Sequence, residues 1–592
     1  MQPHDAVDRA LARHGHTPTR LLAILRSVQA EAGCVPVEAL GRIAAGVGRT
    51  RAEVESTASF YSLLHTQPRG AVEVLFSDNI VDQMAGKAQR MRALCDRLGV
   101  EPGVPSADGL AFVDSTSDIG LADQPPGALV NGRLVPALDD EKIERIASLI
   151  RAHQPLEAWP AALFEVADNV RVGGPLLAER FEPGTGLRRA RALGADGVLA
   201  ELETAGLRGR GGAGFRTAVK WGAARRAAGY RRVVICNADE GEPGTFKDRV
   251  LLRRQADLVF EGMTIAAHAL GAAQGLVYLR GEYLSLVEGL RAVLERRRAQ
   301  GLLGRSADGN GFDIELVLGA GAYVCGEESA LIESLEGKPG RPRNRPPYPD
   351  TAGYEGHPSV VNNVETFACA AKILERGGAW FAGLGTPQST GTKLLCVSGD
   401  CARPGVYELP FGVPIRQVLA DSGAHDAQAV QVGGPSGTCL AWRDFDRRLS
   451  FEDVPTAGAL MVFSRHRDLF EVARNFTHFF AHESCGFCTP CRVGTSLLRD
   501  GMDKLARGKG SALDLQRMQA LMHVMQSMSH CGLGHTAARP VVQVMQAFPE
   551  SFERRLRNLD YEPAFDLDAA LADARRITGR DDAGAHLEGR AS

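Results

Sequence analysis

Three cysteines, Cys485, Cys488 and Cys491, stand two residues apart in "CGFCTPC", and a fourth, Cys531, lies forty residues on in "SHCGLG". Thiolates at this spacing on a turning backbone can each reach a different iron of a four-iron, four-sulfide cube, leaving one corner for a distant cysteine. A structural zinc site is the alternative, but it ordinarily pairs two C-x-x-C knuckles, whereas here one side offers three thiols and the other one. The spacing favours a 4Fe-4S cluster on Cys485, Cys488, Cys491 and Cys531. Gly486 and Gly532, each directly after a ligand, would let backbone N–H groups approach sulfur.

Such a cluster moves single electrons and cannot accept a hydride, so a second cofactor is expected. The segment "GLRGRGGAGFRTAVKW", Gly206 to Trp221, carries five glycines between Gly206 and Gly214. Gly209, Gly211 and Gly214 satisfy G-x-G-x-x-G, but the preceding "GVLAELETAGLRG" reads as helix, not as the strand of a Rossmann turn. The loop can still gather backbone N–H groups around a phosphate ahead of a helix that contains Lys220. A flexible glycine turn is the blander alternative. After the strand "RRVVICN" comes "ADEGEPGTFKD", which places Asn237, Asp239, Glu240 and Glu242 at a strand's C-terminal end, where open α/β sheets bind ligands. After "FDIELVLG" comes "AGAYVCGEESALIESLEG", with Glu327 and Glu328 starting a helix, where carboxylates also simply complement the helix dipole. The basic, proline-rich "KPGRPRNRPPYP" offers Arg345 and Tyr348 to cover a nucleotide, or serves as a stiff linker.

Positioning these groups takes several domains. A chain of 592 residues exceeds one hydrophobic core, and its net charge of -3, with acids and bases mixed throughout, predicts no nucleic acid partner. No apolar run reaches the roughly eighteen residues of a membrane span, and the first residues lack a signal-peptide core, so a cytoplasmic protein with no membrane partner is expected. Twelve cysteines are too sparse for a disulfide scaffold. Periodicity predicts a multidomain α/β protein. A helical preface and a small α/β unit occupy 1–153, with a weakly patterned connector after about Gln154. Alternating strands and helices occupy 165–390, a compact β-rich module 391–465, a helical bundle 466–560 and a tail 561–592.

The motifs "GRGGAGF", "CNADEGEPGTFKDR", "GAGAYVCGEESALIESLEG", "PSVVNNVET", "ESCGFCTPCRVG" and "CGLG", in this order from about Gly186 to Val544, closely resemble the NADH-binding flavoprotein subunit of respiratory complex I and its relatives. The resemblance implies FMN, an NAD(H) site over it and a 4Fe-4S cluster beside it. It implies a thioredoxin-like first domain, a Rossmann-like FMN and NAD domain, a β-grasp module and a cluster-binding helical bundle. Gly209, Arg210, Gly211, Gly212, Gly214, Lys220, Asn237, Asp239, Tyr323, Gly326, Glu327, Asn362, Asn363 and Thr366 match the family's flavin-binding positions. Phe215, Glu242, Glu328, Arg345 and Tyr348 match positions lining the nucleotide site, the last two standing where the family usually has Lys and Phe. The four cysteines match its cluster ligands. The flavin carries the hydride, so no side chain need act as acid or base.

The first domain resembles the family's smaller partner subunit, which binds a two-iron cluster on four cysteines. Here Ser77, Asp82, Asp118 and Ala122 stand at the matching positions, and Cys34 and Cys95 lie elsewhere, so no cluster is expected there. That loss, the fusion and the closing "FDLDAALADARRITGR" resemble the diaphorase subunit of soluble NAD-reducing nickel-iron hydrogenases. The partners then implied are the diaphorase module's iron-sulfur subunit and, through it, the nickel-iron subunits. The input subunit of an NAD-dependent formate dehydrogenase or of complex I, and a non-enzymatic, metal-stabilised binding module, are the alternatives.

Overall fold

The computed structural model describes residues 3–305, 311–557 and 567–581. Three sheets and a helical bundle build it. In the first sheet the strands run in the order Ala111–Thr116, Val72–Ser77, Ala128–Val130, Arg133–Val135, the first pair parallel and the rest antiparallel. Its two faces divide by the period of two that strand geometry imposes. Val72, Val74 and Phe76 pack with Leu94 and Ile146 of the sheet's own helices, Lys87–Leu98 and Asp140–Arg151. Leu75, Phe112, Leu129 and Leu134 join instead the core of the next domain. The unit is thus buried on both sides, and its loops press against its neighbour.

The second sheet runs Ser359–Asn363, Val233–Ala238, Gln274–Leu279, Gly311–Leu318, all parallel, with Gly304–Arg305 antiparallel at the edge. Parallel strands need both faces covered. Helices Thr185–Ala205, Lys247–Leu270 and Val364–Arg376 share the core on one face. The helical preface covers the other: Leu22, Leu25 and Ile43 join Val233, Ile235, Leu276 and Tyr278. Although contiguous in sequence with the thioredoxin-like unit, the preface packs on this sheet. The two long helices approach closely at Gly262, where an added Cβ would stand 2.0 Å from the carbonyl oxygen of Phe367.

The third sheet runs Thr438–Ala441, Ala427–Val432, Ala459–Ser464, Thr392–Gly399, Gly405–Pro410, Val170–Val172, with helix Ile415–Ser422 sharing its core. Its last strand comes from the segment whose weak pattern predicts only a connector. Three residues are too few for a period to register, and pairing with Gly405–Pro410 alone fixes them. Helices Leu469–Glu483, Thr489–Ala506, Ala512–Met528 and Arg539–Ala547 form the bundle. Of the tail, only Leu567–Thr578 and the residues to 581 are described; the first is a helix, and the rest of the predicted tail lies outside the described residues.

Candidate functional site

The carboxyl ends of the parallel strands bring the predicted loops together. Asn363 is aligned with Asn237 in the register of adjacent strands, and Asn237 Nδ2 donates to Gly326 O over 2.8 Å, tying in the third loop. A cavity of about 470 Å3 opens there. Gly211, Gly212, Asn237, Asp239, Glu242, Tyr323, Gly326, Glu327, Asn363 and Cys531 line it, as does Glu240.

The other predicted residues form a supporting ring. Arg210 is buried, its guanidinium donating to the carbonyls of Thr390 and Thr392, and its N–H donates to Thr366 Oγ1 over 2.9 Å. Gly209 N–H closes the glycine loop on Phe215 O, and Asn362 Oδ1 accepts from Trp221 Nε1. Gly214, with φ +64°, lies against Phe451. Lys220 Nζ donates to Glu328 Oε2 over 2.8 Å and to Val361 O, so two residues matched to different ligands pair with each other. Phe215 and Tyr348 are each more than half exposed, and Arg345 Nη1 lies 3.4 Å from Glu327 Oε1. None of these lines the cavity.

Sequence reading passed over several lining residues. Lys247 and Asp248, the last two residues of "ADEGEPGTFKD", open the helix Lys247–Leu270. Burial opposes the charge on Lys247, but Asp248 at 2.6 Å and Glu365 at 3.1 Å outweigh it and hold the ammonium protonated. Gly433, Ser436, Gly437 and Thr456 come from the β-grasp module, and Thr536 and Arg539 from the bundle. The glycine-rich "QVGGPSG" between two strands was the available signal for the first group.

Glu242 receives hydrogen bonds from Tyr323 OH at 2.6 Å and Ser436 N–H at 2.9 Å. Burial nevertheless pushes its carboxyl up to about 7. Burial also raises Asp239 well above the usual carboxylate range, and its Oδ2 is buried without a partner. Glu327 Oε2 caps helix Glu328–Leu335 by accepting from the N–H groups of Ser329 and Ala330, as the dipole reading expects, while its Oε1 makes no hydrogen bond but pairs with Arg345 Nη1 at 3.4 Å. Unpaired buried acceptors are costly, and a polyol chain supplies the hydroxyl donors they lack. Gly212 adopts φ +117°, and a Cβ on Gly211 would stand 3.2 Å from Asn363 Cβ, so backbone rather than side chain meets a ligand here. The cavity therefore fits a flavin mononucleotide: glycine amides for phosphate, the partnerless Asp239 oxygen for a ribityl hydroxyl.

The four cysteines line one small cavity with Pro342, Phe487 and Leu533. Cys488 caps helix Thr489–Ala506 and Cys491 lies in its first turn, so the positive end of that helix faces the anionic group the thiolates would hold. Among the described residues no three His, Cys, Asp or Glu side chains are placed to hold a single metal ion. Thiols spread around a cavity fit a cluster. Burial raises the thiols of Cys491 to about 12 and Cys531 to about 11, so cluster assembly must release their protons. The amides that face sulfur include those of Phe487, Leu533 and Gly534, one or two residues beyond the expected Gly486 and Gly532, and that of His530, which donates to Cys488 Sγ over 3.5 Å.

At the four matched positions of the first domain no thiol stands. Ser77 Oγ donates to Asp82 Oδ2 over 2.6 Å, Asp82 Oδ1 accepts from Gly127 N–H, Asp118 accepts from Asn79 and Gly120, and Ala122 is buried. Cys95 packs in the core of the first sheet; Cys34 is buried at the end of a preface helix.

Comparison with known proteins agrees with this assembly. Residues 202–381 match the family described as the Nuo51 FMN-binding domain, and 471–555 match the NADH-ubiquinone oxidoreductase-F iron-sulfur binding region. Residues 7–151 match the thioredoxin-like [2Fe-2S] ferredoxin family. The NAD-reducing hydrogenase HoxS subunit alpha of Cupriavidus necator is 42% identical over 582 residues, covering 95% of this chain and 96% of that one. A subunit of the NADH-quinone oxidoreductase of Rhizobium meliloti is 38% identical over 65% of this chain and 95% of its own length. A crystal structure of an NAD+-reducing [NiFe]-hydrogenase in the H2-reduced state contains a chain 46% identical, superposing with a TM-score of 0.91 over 97% of this chain and 98% of that one. No helix among the described residues is long and apolar enough to cross a membrane. The chain belongs to the family of alpha subunits of NAD-reducing hydrogenases, relatives of the NADH-binding flavoprotein subunits of NADH-quinone oxidoreductases.

Proposed function

We propose that this chain is the NADH:acceptor oxidoreductase, or diaphorase, subunit of an NAD-reducing hydrogenase. Cys531 carries the reading, because it lines both the large cavity and the cluster cavity and so puts the hydride site and the electron exit on either side of one residue. Bound FMN supplies the chemistry, exchanging a hydride with NAD(H) and single electrons with the cluster. The protein supplies position and field. Gly211 and Gly212 present backbone to the phosphate end, and Asp239 and Glu327 orient the polyol. Lys247 keeps a cation in the wall beside Asn363. Glu242, held by Tyr323 and Ser436, faces the nucleotide, while Phe215, Glu328, Arg345 and Tyr348, which do not line the cavity, are assigned to the nucleotide by the family resemblance alone. Cys485, Cys488, Cys491 and Cys531 hold the cluster.

Electrons leave through the bundle, where Phe487, Leu497 and Met528 are exposed large apolar side chains. An iron-sulfur subunit of the diaphorase module is the partner of choice there, linking to nickel-iron subunits in the cytoplasm. Similarity to the alpha chain of a hydrogenase over 95% of this chain supports this over complex I, whose related subunit matches 65% of it. Anaerobic NADH added to the purified chain is expected to bleach a bound flavin's visible band. A flavin that NADH leaves oxidised would refute the reading.

A further inference from the structure

The loop Ser117–Asp123 of the thioredoxin-like domain lies directly against the loop that carries Glu242. Glu242 to Thr245 is a tight turn closed by Thr245 N–H and Oγ1 donating to Glu242 O, at 3.0 and 2.6 Å. Gly244 sits in it at φ +86°, which only glycine adopts without strain. Its N–H cannot be satisfied within the turn and donates to Asp118 Oδ2 over 3.2 Å. Four residues upstream, Glu240 O accepts from Arg280 Nη1, and Arg280 Nη2 donates to Asp118 O and pairs with Glu282. Asp118 and Arg280 are 2% and 3% exposed, so these contacts are shielded from bulk solvent. The nucleotide-facing loop is thus pinned at two points, and Asp118 takes part in both.

We propose that Asp118 is a positioning residue for the NAD(H) site, fixing Glu242 through the Gly244 amide, and that the thioredoxin-like domain is therefore a structural part of that site. The proposal rests on the reading of Glu242 as a nucleotide contact. Asp118 stands where the related partner subunit has a cluster ligand; here its carboxylate receives Asn79, Gly120 and Gly244 instead. A hydrogen bond to a buried carboxylate fixes direction as well as distance, so its loss frees the turn without removing any group from the cavity.

The test uses the full-length chain in its assembled complex. Asp118→Ala is expected to keep FMN and cluster content but raise the NAD+ dissociation constant and the KM for NADH about tenfold, as for one charge-assisted hydrogen bond. Maximal reduction of an artificial acceptor stays near that of the unaltered chain. Backbone hydrogen exchange at residues 240–245 should quicken. Asp118→Asn, whose side-chain oxygen can still accept from Gly244, should recover most of the affinity. Asn79→Ala removes another partner of Asp118 without touching the turn and should leave NAD+ binding unchanged. Equal losses in Asn79→Ala and Asp118→Ala, or Asp118→Asn matching the alanine variant, would reduce the contact to packing and overturn the proposal; where Asp118→Ala does not assemble, the asparagine variant's affinity and exchange decide alone. Glu242→Gln separates the two readings. A defect there with none in the Asp118 variants refutes only the clamp, and wild-type binding in Glu242→Gln refutes the placement of the site.

Discussion

The phenol of Tyr323 donates to Glu242 Oε2 over 2.6 Å inside the cavity. The backbone N–H of Tyr323 donates at the same time to Glu483 Oε2 over 3.0 Å, two residues before Cys485, and its ring lies edge-on to Phe479 at 5.0 Å. One residue therefore touches the nucleotide-facing carboxylate and the segment that holds the cluster. Tyr323 belongs to the apolar shell of the cluster through Phe480, Cys491 and Leu533.

Glu242 makes the stability of the fold pH-sensitive. Burial raises its carboxyl from the ordinary 4.5 to about 7, and the Tyr323 hydrogen bond works against that rise. Below 4.5 the folded and unfolded chains both hold the proton, so pH has no effect through this group. Between 4.5 and 7 the unfolded chain releases a proton that the folded chain keeps, and folding loses stability, up to roughly 3 kcal/mol once above 7. Glu242→Gln has no such proton. Its melting temperature should gain on that of the unaltered chain as pH rises from 5 to 8. A gap independent of pH would contradict the assignment. Tyr323→Phe removes a bond that favours the carboxylate and should move the transition to higher pH.

Cys531→Ala deprives the cluster of one corner. Iron should be lost readily, while FMN, held by loops of the parallel sheet, remains and is still bleached by NADH. Electron delivery to the partner subunit should fall at least tenfold. Flavin loss in this variant with the fold intact would count against separate sites.

Gly262→Ala tests the helix crossing beneath the flavin sheet. In an open helix this change would stabilise by about 1 kcal/mol. Here the added Cβ would meet Phe367 O at 2.0 Å and the Phe367 carbonyl carbon at 2.5 Å, so the helices must part. Overpacking of this kind costs about 1–3 kcal/mol, and the melting temperature should drop. An unchanged or raised value would mean that the crossing is looser than described.

Much of this was legible in the chain. "RRVVICN", "AQGLVYL" and "FDIELVLG" are β-rich runs and all three are strands of one parallel sheet, the first and last of which lead into glycine loops that deliver Asn237, Asp239 and Glu327 to one edge. The cysteine spacing placed all four thiols around one cavity. What stayed hidden depends on contacts distant in sequence. Ser436 reaches Glu242 from 194 positions away, and Asp118 reaches Gly244 from 126, through single hydrogen bonds that no local period records. Val170–Val172 and the preface helices likewise owe their places to partners elsewhere in the chain, Gly405–Pro410 and the flavin sheet. Lys247 escaped because a lone lysine opening a helix is commonly solvated, and only the fold surrounds it with Asp248, Asn363 and Glu365.

The most direct measurement is an iron, sulfide and flavin count on the purified full-length chain, followed by electron paramagnetic resonance after anaerobic NADH. One FMN with about four irons and four sulfides is expected, and NADH should bring up a single four-iron signal. Ser77, Asp82, Asp118 and Ala122 leave the first domain no thiol at the matched positions, so the intact chain should show no two-iron signal. About six irons per flavin, an additional two-iron signal, or a cluster that NADH never reduces would contradict the account.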